Sequence, residues 1–452
     1  MEEKNTVLRV GFGKREITPP LGYPLVGQYY ARFAKGVLDP LFARAAIFET
    51  DEVKSIVMTL DVCLLSKPLG TEIRERIAKA VGLPADAILI NASHTHTGPL
   101  TGKDFASDTV ATPEYLELLK ERSVEACLDA LCDLAPAKMF FAETEAKGIS
   151  FIRRYRMKDG STKTNPATQD PEIDCPLGKP NEEVRFLKIE REGGKDIYLV
   201  NFGTHPDTVS GEYISADWPG YVCSILESAI PESCCMLLLG PQGDVNHYNA
   251  FAPNRGFVGK RRVKDDPKGV ITHARYMARV IAGQVLSVCD RAKEIASDRI
   301  RFDTVELKLP TNLDTSRLEE AKKVYEAYLV NYEKGGPTIN LAGGMSVPEA
   351  KRIIRMQNEP EFYPYSAYVL RIGEFVFAGL PGEPFTEIAR RIYKGSPFEN
   401  MILMCQTNAS CGYIGTSTAY DEGGYETLTS SYKKGVDNVM VEGMLSLLER
   451  VK

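Results

Sequence analysis

The chain reads as an α/β protein in which mixed β-sheets are flanked by helices, and three observations predict it. Short apolar or β-branched runs alternate with amphipathic helical patterns almost to the end of the 452 residues, the alternation that builds helix-covered sheets. Runs such as Ile88, Leu89 and Ile90 are too short for a helix and too apolar for a surface loop, so they are strands buried on both faces. No internal repeat or low-complexity tract breaks the pattern.

Taken from the amino end, strands are expected at VLRVGF, RAAIFE, SIVMTL and AILINA, with a helix over 70–81 before the last. TPEYLELLKERSVEACLDALCDL carries the clearest helix start, over 113–133. There Thr112 can cap, Pro113 suits the first helical position and Glu114 complements the dipole. KMFFAE, VRFLKI and DIYLVNF follow as strands, then a helix over 219–230, the strand CMLLLG and a helix over 267–293. The remainder predicts FDTVELKL, helices over 315–333 and 347–357, SAYVLRI, FVFAGL, a helix over 384–394, MILMCQ and a helix over 435–450. The segment at about 312–360 is a helical excursion with EKGGPTINLAGGMSVPEA at its tip. Residues 153–183 hold many turn formers and no periodic core, so they are expected to form a long functional loop. A single large domain spanning 1–452 is expected.

Composition narrows the function classes. Hydrophobic residues make up 43%, charged residues 26%, and the net charge is -6. That balance argues against nucleic acid or an anionic membrane as partner, because either needs a clustered excess of Lys and Arg. The densest basic patches are only FIRRYRMK near 151 and GKRRVK near 259. No run approaches a membrane span, so no stable membrane insertion is expected. The charged start MEEKNTVLRVGFGKREITPP lacks the apolar core of a signal peptide, and ten cysteines occur without CxxC spacing. Both fit a cytoplasmic, reducing setting with buried free thiols.

The chemistry-bearing residues share one placement. His94 and His96, two of only five histidines, stand in ILINASHTHTGP just past a strand. His205 follows DIYLVNFG in THPDT, Glu383 follows EFVFAGL in PGEPFTE, and Tyr413 follows MILMCQT in NASCGYIG. Two histidines and a carboxylate delivered to one sheet edge suit a catalytic zinc site with one position open for water. No pair has HExxH spacing, so strand exits whose histidines bond their own turns remain the plainer alternative.

At these residues a resemblance enters. GFGKREITPP, ASHTHTGP, GTHPDT, PQGDVN, LPGEPFT and the tyrosine-bearing tail resemble, in order from about residue 8 to about 430, the neutral ceramidases. These are metal-dependent amidases that split the N-acyl bond of ceramide. The resemblance implies a zinc ion held by His94, His205, Glu383 and a phenolic fourth ligand, Tyr413. It places His96 beside the metal and makes Arg153 and Tyr425 active-site residues; Arg154, one position on, stays open as the alternative to Arg153. That family typically continues into a C-terminal β-sandwich, and the departure of this sequence from that pattern leads to the expectation of a catalytic domain alone.

The residue types permit this chemistry. Neutral imidazoles and a carboxylate leave zinc with net positive charge, which lowers the pKa of bound water to roughly 7. His96, Arg153 and Tyr425 are donors suited to the charge that develops on an attacked carbonyl oxygen, each worth roughly 3 kcal/mol if aimed at it. The proton for the leaving group can come from His96 or a tyrosine. Asp61 is a candidate second-layer partner, and Asp244 and His247 are candidates to line the site; His273 reads as structural. Where the family pattern carries a serine, this chain has Asn246, which metal-activated water renders tolerable. The polar stretch 153–183 is a poor lining for a long acyl chain. The expected activity is therefore hydrolysis of an amide, ester or lactone in a small, relatively polar acyl compound. A true ceramidase or N-acyl lipid amidase is the alternative, and a catalytically silent binding protein is the third.

Overall fold

The computed structural model describes residues 7–51, 53–104, 109–258, 271–333 and 344–452. Thirteen strands build two sheets: β1 (Arg9–Glu16), β2 (Phe42–Glu49), β3 (Lys54–Leu60), β4 (Ile88–Ala92), β5 (Ala135–Glu145), β6 (Glu183–Arg191), β7 (Asp196–Phe202), β8 (Ser233–Leu239), β9 (Lys293–Ile295), β10 (Ile300–Pro310), β11 (Phe362–Ile372), β12 (Phe375–Gly379) and β13 (Met401–Met404). The helices that matter here are α1 (Lys67–Val81), α2 (Pro113–Cys132), α3 (Asp217–Ala229), α4 (Thr272–Val288), α5 (Leu318–Glu333), α6 (Val347–Arg355), α7 (Thr386–Gly395), α8 (Ser417–Glu422), α9 (Tyr425–Thr429) and α10 (Val436–Arg450).

The larger sheet runs β8-β7-β6-β5-β1-β2-β3-β4, with β9 paired to β5 off this path, and the smaller runs β10-β11-β12-β13. Most neighbours are antiparallel, but β3/β4, β7/β8 and β12/β13 are parallel. A parallel pair needs a crossover, and α1, α3 and α7 supply the three. Each parallel unit therefore aims two carboxyl ends the same way, the end where open α/β sheets place their ligands.

Four layers result. The outer face of the larger sheet is covered by α1 and α2 on one half, with Ile73, Ile77 and Leu119 against Ile47 and Met58. On the other half α3 and α4 set Leu226, Met277 and Ile281 against Phe186, Val200 and Leu237. Its inner face packs on the smaller sheet, where Phe48, Phe141 and Met236 meet Phe375, Phe377 and Ile402. Beyond that sheet lie α7 and α10, through Ile388, Ile392, Met440 and Met444. β4 has all five residues buried, as its apolar run Ile88, Leu89 and Ile90 requires. The α2 cap is as expected, Thr112 Oγ accepting from Tyr115 N at 3.3 Å. Gly11 and Gly13 let α2 lie directly on β1; a Cβ at either would fall 1.9 Å from a carbonyl oxygen of Ala130 or Ala126.

Every strand and helix expected from the sequence is present, with three corrections. Residues 153–183 are not a structureless loop: Arg154–Met157, Thr162–Thr164 and Ile173–Pro176 pair into a three-stranded sheet. It holds a small core of Tyr155, Met157 and Ile173 with Tyr248. The helix expected over 267–293 is Thr272–Val288 and gives way to a 3-10 turn and β9; residues 267–270, the GKRRVK patch and part of the excursion's tip lie outside the described residues. All ten cysteines are unpaired, but Cys132 is exposed and Cys175, Cys234 and Cys411 are only half-buried.

Candidate metal centre

The three parallel units converge at one edge. After β3 the chain presents Cys63, after β4 His94, after β7 His205, after β8 Gln242, after β12 Glu383 and after β13 Gln406. Asn91 holds two of these ends together: its Oδ1 accepts from Leu239 N at 2.7 Å at the end of β8, and its Nδ2 donates to Cys405 O at 2.5 Å. His94 takes a left-handed backbone, φ 61°, a conformation rare for a non-glycine residue and most informative at functional sites.

Second contacts fix the ring orientations. His94 Nδ1 lies 2.7 Å from Cys63 O, so it carries the proton and donates, leaving Nε2 as a lone pair. His205 Nδ1 faces Gln242 O at 3.4 Å, and the same tautomer turns its Nε2 inward. His94 Nε2 and His205 Nε2 are 3.3 Å apart, and Glu383 Oε2 stands 3.5 Å from the first and 3.6 Å from the second. A tetrahedron with metal–ligand bonds of about 2.0–2.1 Å has edges of about 3.3–3.4 Å. The triangle has the size and donor types of a zinc site.

Charge agrees with this geometry for Glu383 and His205 and couples His94 to the cation. Burial raises the Glu383 carboxyl, but the neighbouring His94 and His205 hold it down at about 2. Burial and Arg153 push His205 well below the usual histidine range. Burial also drags on His94, yet the Cys63 thiol and the Glu383 carboxylate carry it well above that range. His205 beside the ionised Glu383 is thus already in the state a divalent cation requires, whereas His94 gives up a proton when a cation takes its place beside Glu383.

No family model matches the chain. Neutral ceramidase A of Dictyostelium discoideum is 21% identical over 236 residues, covering 48% of this chain. The match spans 32% of that relative's length. Two solved structures align along nearly the whole chain: the neutral ceramidase from Pseudomonas aeruginosa, with a TM-score of 0.72 and 16% identity over 99% of this chain and 75% of that one, and a ceramidase complexed with C2, with 0.70 and 16% over 98% and 76%. The fold is that of the neutral ceramidases.

Around the triangle, this neutral ceramidase-like chain places the other sequence candidates unequally. His96 Nε2 is 3.3 Å from His94 Nε2, and its buried Nδ1 meets no hydrogen-bond partner; burial and His94 push it down to about 3. Tyr413 pairs in register with Glu383, and its ring lies over His205 with centroids 6.4 Å apart. The Arg153 guanidinium stacks 5.0 Å from the Tyr413 ring and sets Nη1 3.4 Å from His205 Nδ1. Arg154 turns away, donating to Gly423 O at 2.7 Å and Glu422 at 3.2 Å, so Arg153 is the arginine at the centre. Tyr425 meets Tyr413 at 5.7 Å between centroids and shares a 3.0 Å hydrogen bond with Tyr29.

Other candidates serve elsewhere. Asp61 is buried against Arg44 at 2.8 Å and touches no site histidine. Asp244 accepts from Thr386 N and Oγ at 2.7 and 3.0 Å and so caps α7. Asn246 donates to Asn165 at 3.0 Å and accepts from Tyr248 N. His247 pairs with Asp207 at 2.9 Å, and its ring packs edge-on to His273.

The sequence missed several site residues. Glu426 is wholly buried and accepts from Arg153 Nε at 2.6 Å and from Thr164 at 2.8 Å, with Arg154 Nε at 3.7 Å. Gln242 donates to Glu383 at 3.4 Å, and Gln406 Nε2 lies 3.2 Å from His94 Nδ1. Arg32 donates to His96 O at 2.7 Å. Gly27, at φ 113°, lies so close that a Cβ would sit 2.8 Å from His96. Of these only Gln242, in the tight turn PQGD directly after a strand, carried a readable signal.

Proposed function

We propose that the chain is a zinc-dependent hydrolase that cleaves an amide, ester or lactone bond in a small, relatively polar acyl compound. The observation that carries the reading is the convergence of His94 Nε2, His205 Nε2 and Glu383 Oε2 at zinc-ligand spacing. Those three residues would hold the ion, with the Tyr413 phenol as fourth ligand. A bound zinc ion supplies a Lewis acid and a water acidified to roughly pKa 7.

In this reading the chain's own residues orient and stabilise. The Cys63 and Gln242 carbonyls hold the two imidazoles in the tautomer that offers Nε2. Water oxygen adds to the acyl carbon, negative charge builds on the acyl oxygen, and the bond to the leaving nitrogen or oxygen breaks. Arg153 and the Tyr425 hydroxyl supply positive charge and a donor beside that oxygen, the arrangement that catalyses acyl transfer most effectively when it is rigid. His96, with one nitrogen unspent, is placed to pass a proton to the leaving group.

The polar three-stranded sheet over 154–176 favours a substrate without a long acyl chain. Arg154 and Arg156 are engaged by Glu422, which leaves Arg153 as the one guanidinium of FIRRYRMK at the centre. A second reading, a ceramidase or N-acyl lipid amidase, is favoured by the alignment of nearly the whole chain with ceramidase structures. A silent binding protein has no need of three convergent ligands. We place the protein in the cytoplasm, where ten unpaired thiols are kept reduced; among the described residues no helix is long and apolar enough to cross a membrane. The test is elemental analysis of chelator-free protein together with turnover of N-acyl amides, esters and lactones of graded chain length. Zinc with turnover of short acyl compounds supports the reading, and absence of metal overturns it.

A further inference from the structure

Between the segment 312–317 that leads into α5, helix α6 and the short helices α8 and α9 lies a cavity of about 250 Å³. Its lining shares no residue with the metal triangle. Arg352 of α6 lines it and is only 7% exposed. Two of its nitrogens are spent on carbonyls, Nε donating to Leu428 O at 3.2 Å and Nη1 to Asp314 O at 3.1 Å. Among the described residues Nη2 has no hydrogen-bond partner, and no carboxylate forms an ion pair with this arginine. Glu349, one turn earlier in α6, is taken by Arg317 at 3.0 Å. The carboxylates of Glu349 and Asp314 act on the guanidinium only from beyond ion-pair distance, and burial pulls Arg352 below its usual value, so a carboxylate bonded directly to Nη2 would be the first to pair with it.

The rest of the lining defines what fits. Ile353 and Leu428 offer apolar surface, and Thr427 a hydroxyl. The volume lies below the roughly 300 Å³ at which drug-sized pockets begin, so the occupant has few heavy atoms. The lining carries two guanidiniums, Arg317 and Arg352, and two carboxylates, Glu349 and Asp314; with Arg317 paired to Glu349, one added negative charge meets Arg352 and a second finds no further cation.

We propose that this cavity is a second binding site, for a small organic monocarboxylate held by Arg352 Nη2 with its short carbon chain against Ile353 and Leu428. The inference does not depend on the reaction proposed above. It does connect the two places: Thr427 and Leu428 belong to α9, whose first two residues are Tyr425 and Glu426. A carboxylate on Arg352 therefore steadies the helix that carries the Arg153 clamp.

Calorimetric titration of the full chain with butyrate, its neutral isostere butyramide and inorganic phosphate tests this. Butyrate is expected to bind with Kd of about 1 mM, and butyramide at least roughly tenfold more weakly, the loss of one charge-assisted hydrogen bond. Amide exchange over residues 424–429 should slow when butyrate is added. Arg352→Met should abolish binding. Because that change also frees two carbonyls, Leu428→Glu, at a 40% exposed position, serves as a second variant that keeps Arg352 and adds a repelling carboxylate; it too should abolish binding. Failure of the wild type to bind butyrate, equal binding of the amide, or binding retained in either variant overturns the site. Phosphate binding more tightly than butyrate overturns the carboxylate assignment.

Discussion

Glu426→Gln should weaken both the fold and the reaction while leaving the metal in place. The carboxylate is wholly inaccessible and gathers Arg154 Nε and Thr164 Oγ from two strands of the three-stranded sheet and Arg153 Nε from the residue just before the first of them. Gln keeps the shape and one accepting oxygen but turns a donor toward groups that can only donate or already do. Breaking a buried ion pair from one side costs about 3–5 kcal/mol, and the retained carbonyl recovers about 1 kcal/mol as a hydrogen bond, so a net loss of about 3 kcal/mol is expected. With an unfolding entropy near 2.1 cal/mol/K per residue, 452 residues correspond to about 0.95 kcal/mol/K and a melting point lowered by about 3 °C. Arg153 keeps its bond to Gly243 O at 2.9 Å but loses its orientation, so kcat should fall about 100-fold, the effect of one misdirected oxyanion donor. Scanning calorimetry, metal content and kcat are measured together. Glu422→Gln is the control: that side chain is 17% exposed, its Arg154 retains two carbonyl partners, and the cost should stay below about 1 kcal/mol. If Glu426→Gln melts and turns over like wild type, the clamp has no function and Arg153 is held by its other contacts alone.

Three further outcomes follow from the same geometry. Chelator-free protein should carry about one zinc per chain, and His94→Ala or Glu383→Ala should remove nearly all of it; stoichiometric iron would refute the donor reading. Asn246→Ala should keep measurable turnover, because an amide has no useful nucleophilicity and its side chain is bonded to Asn165 and Tyr248; a covalent acyl-enzyme seen by mass spectrometry would end the water mechanism. A water-soluble acyl amide or ester should exceed long-chain ceramide in kcat/KM by at least roughly tenfold, about 1.4 kcal/mol of transition-state binding, with detergent supplied for the lipid. Preference for the lipid would make the lipid-amidase reading the better one.

The two sheets were legible because burial on both faces leaves an unmistakable mark. β4, β12 and β13 are buried at every position; β12 and β13 contain no polar residue, and β4 contains one, Asn91, next to its carboxyl end. The small sheet over 154–176 was not legible for the opposite reason. Its strands RYRM, TKT and IDCP are three or four residues long, too short to display an alternation. Helices α8 and α9 are single turns of six and five residues, and a 3.6-residue period cannot be read from one turn. The pair Gly423 and Gly424, both at positive φ, was the only visible sign that the chain breaks there.

The same contrast explains which site residues could be found. His94, His205 and Glu383 each end a buried run, so local sequence exposes them, and the three crossover helices deliver them to one edge without any further coding. Glu426 stands in a one-turn helix and acts on an arginine 273 positions away; nothing local distinguishes it from a solvated glutamate. Metal ligands sit on the scaffold that the apolar pattern specifies, whereas the groups that aim the arginine arrive on short irregular segments whose position depends on packing. Changes in substrate can therefore be made in the segments around Tyr29, Arg153 and Tyr425 while the triangle stays fixed. A variant that exchanges residues 158–170 for a more apolar hairpin of equal length should alter chain-length preference in turnover and leave zinc content unchanged. Loss of zinc in that variant would mean that the small sheet supports the triangle itself, and the division between scaffold and aiming residues would fail.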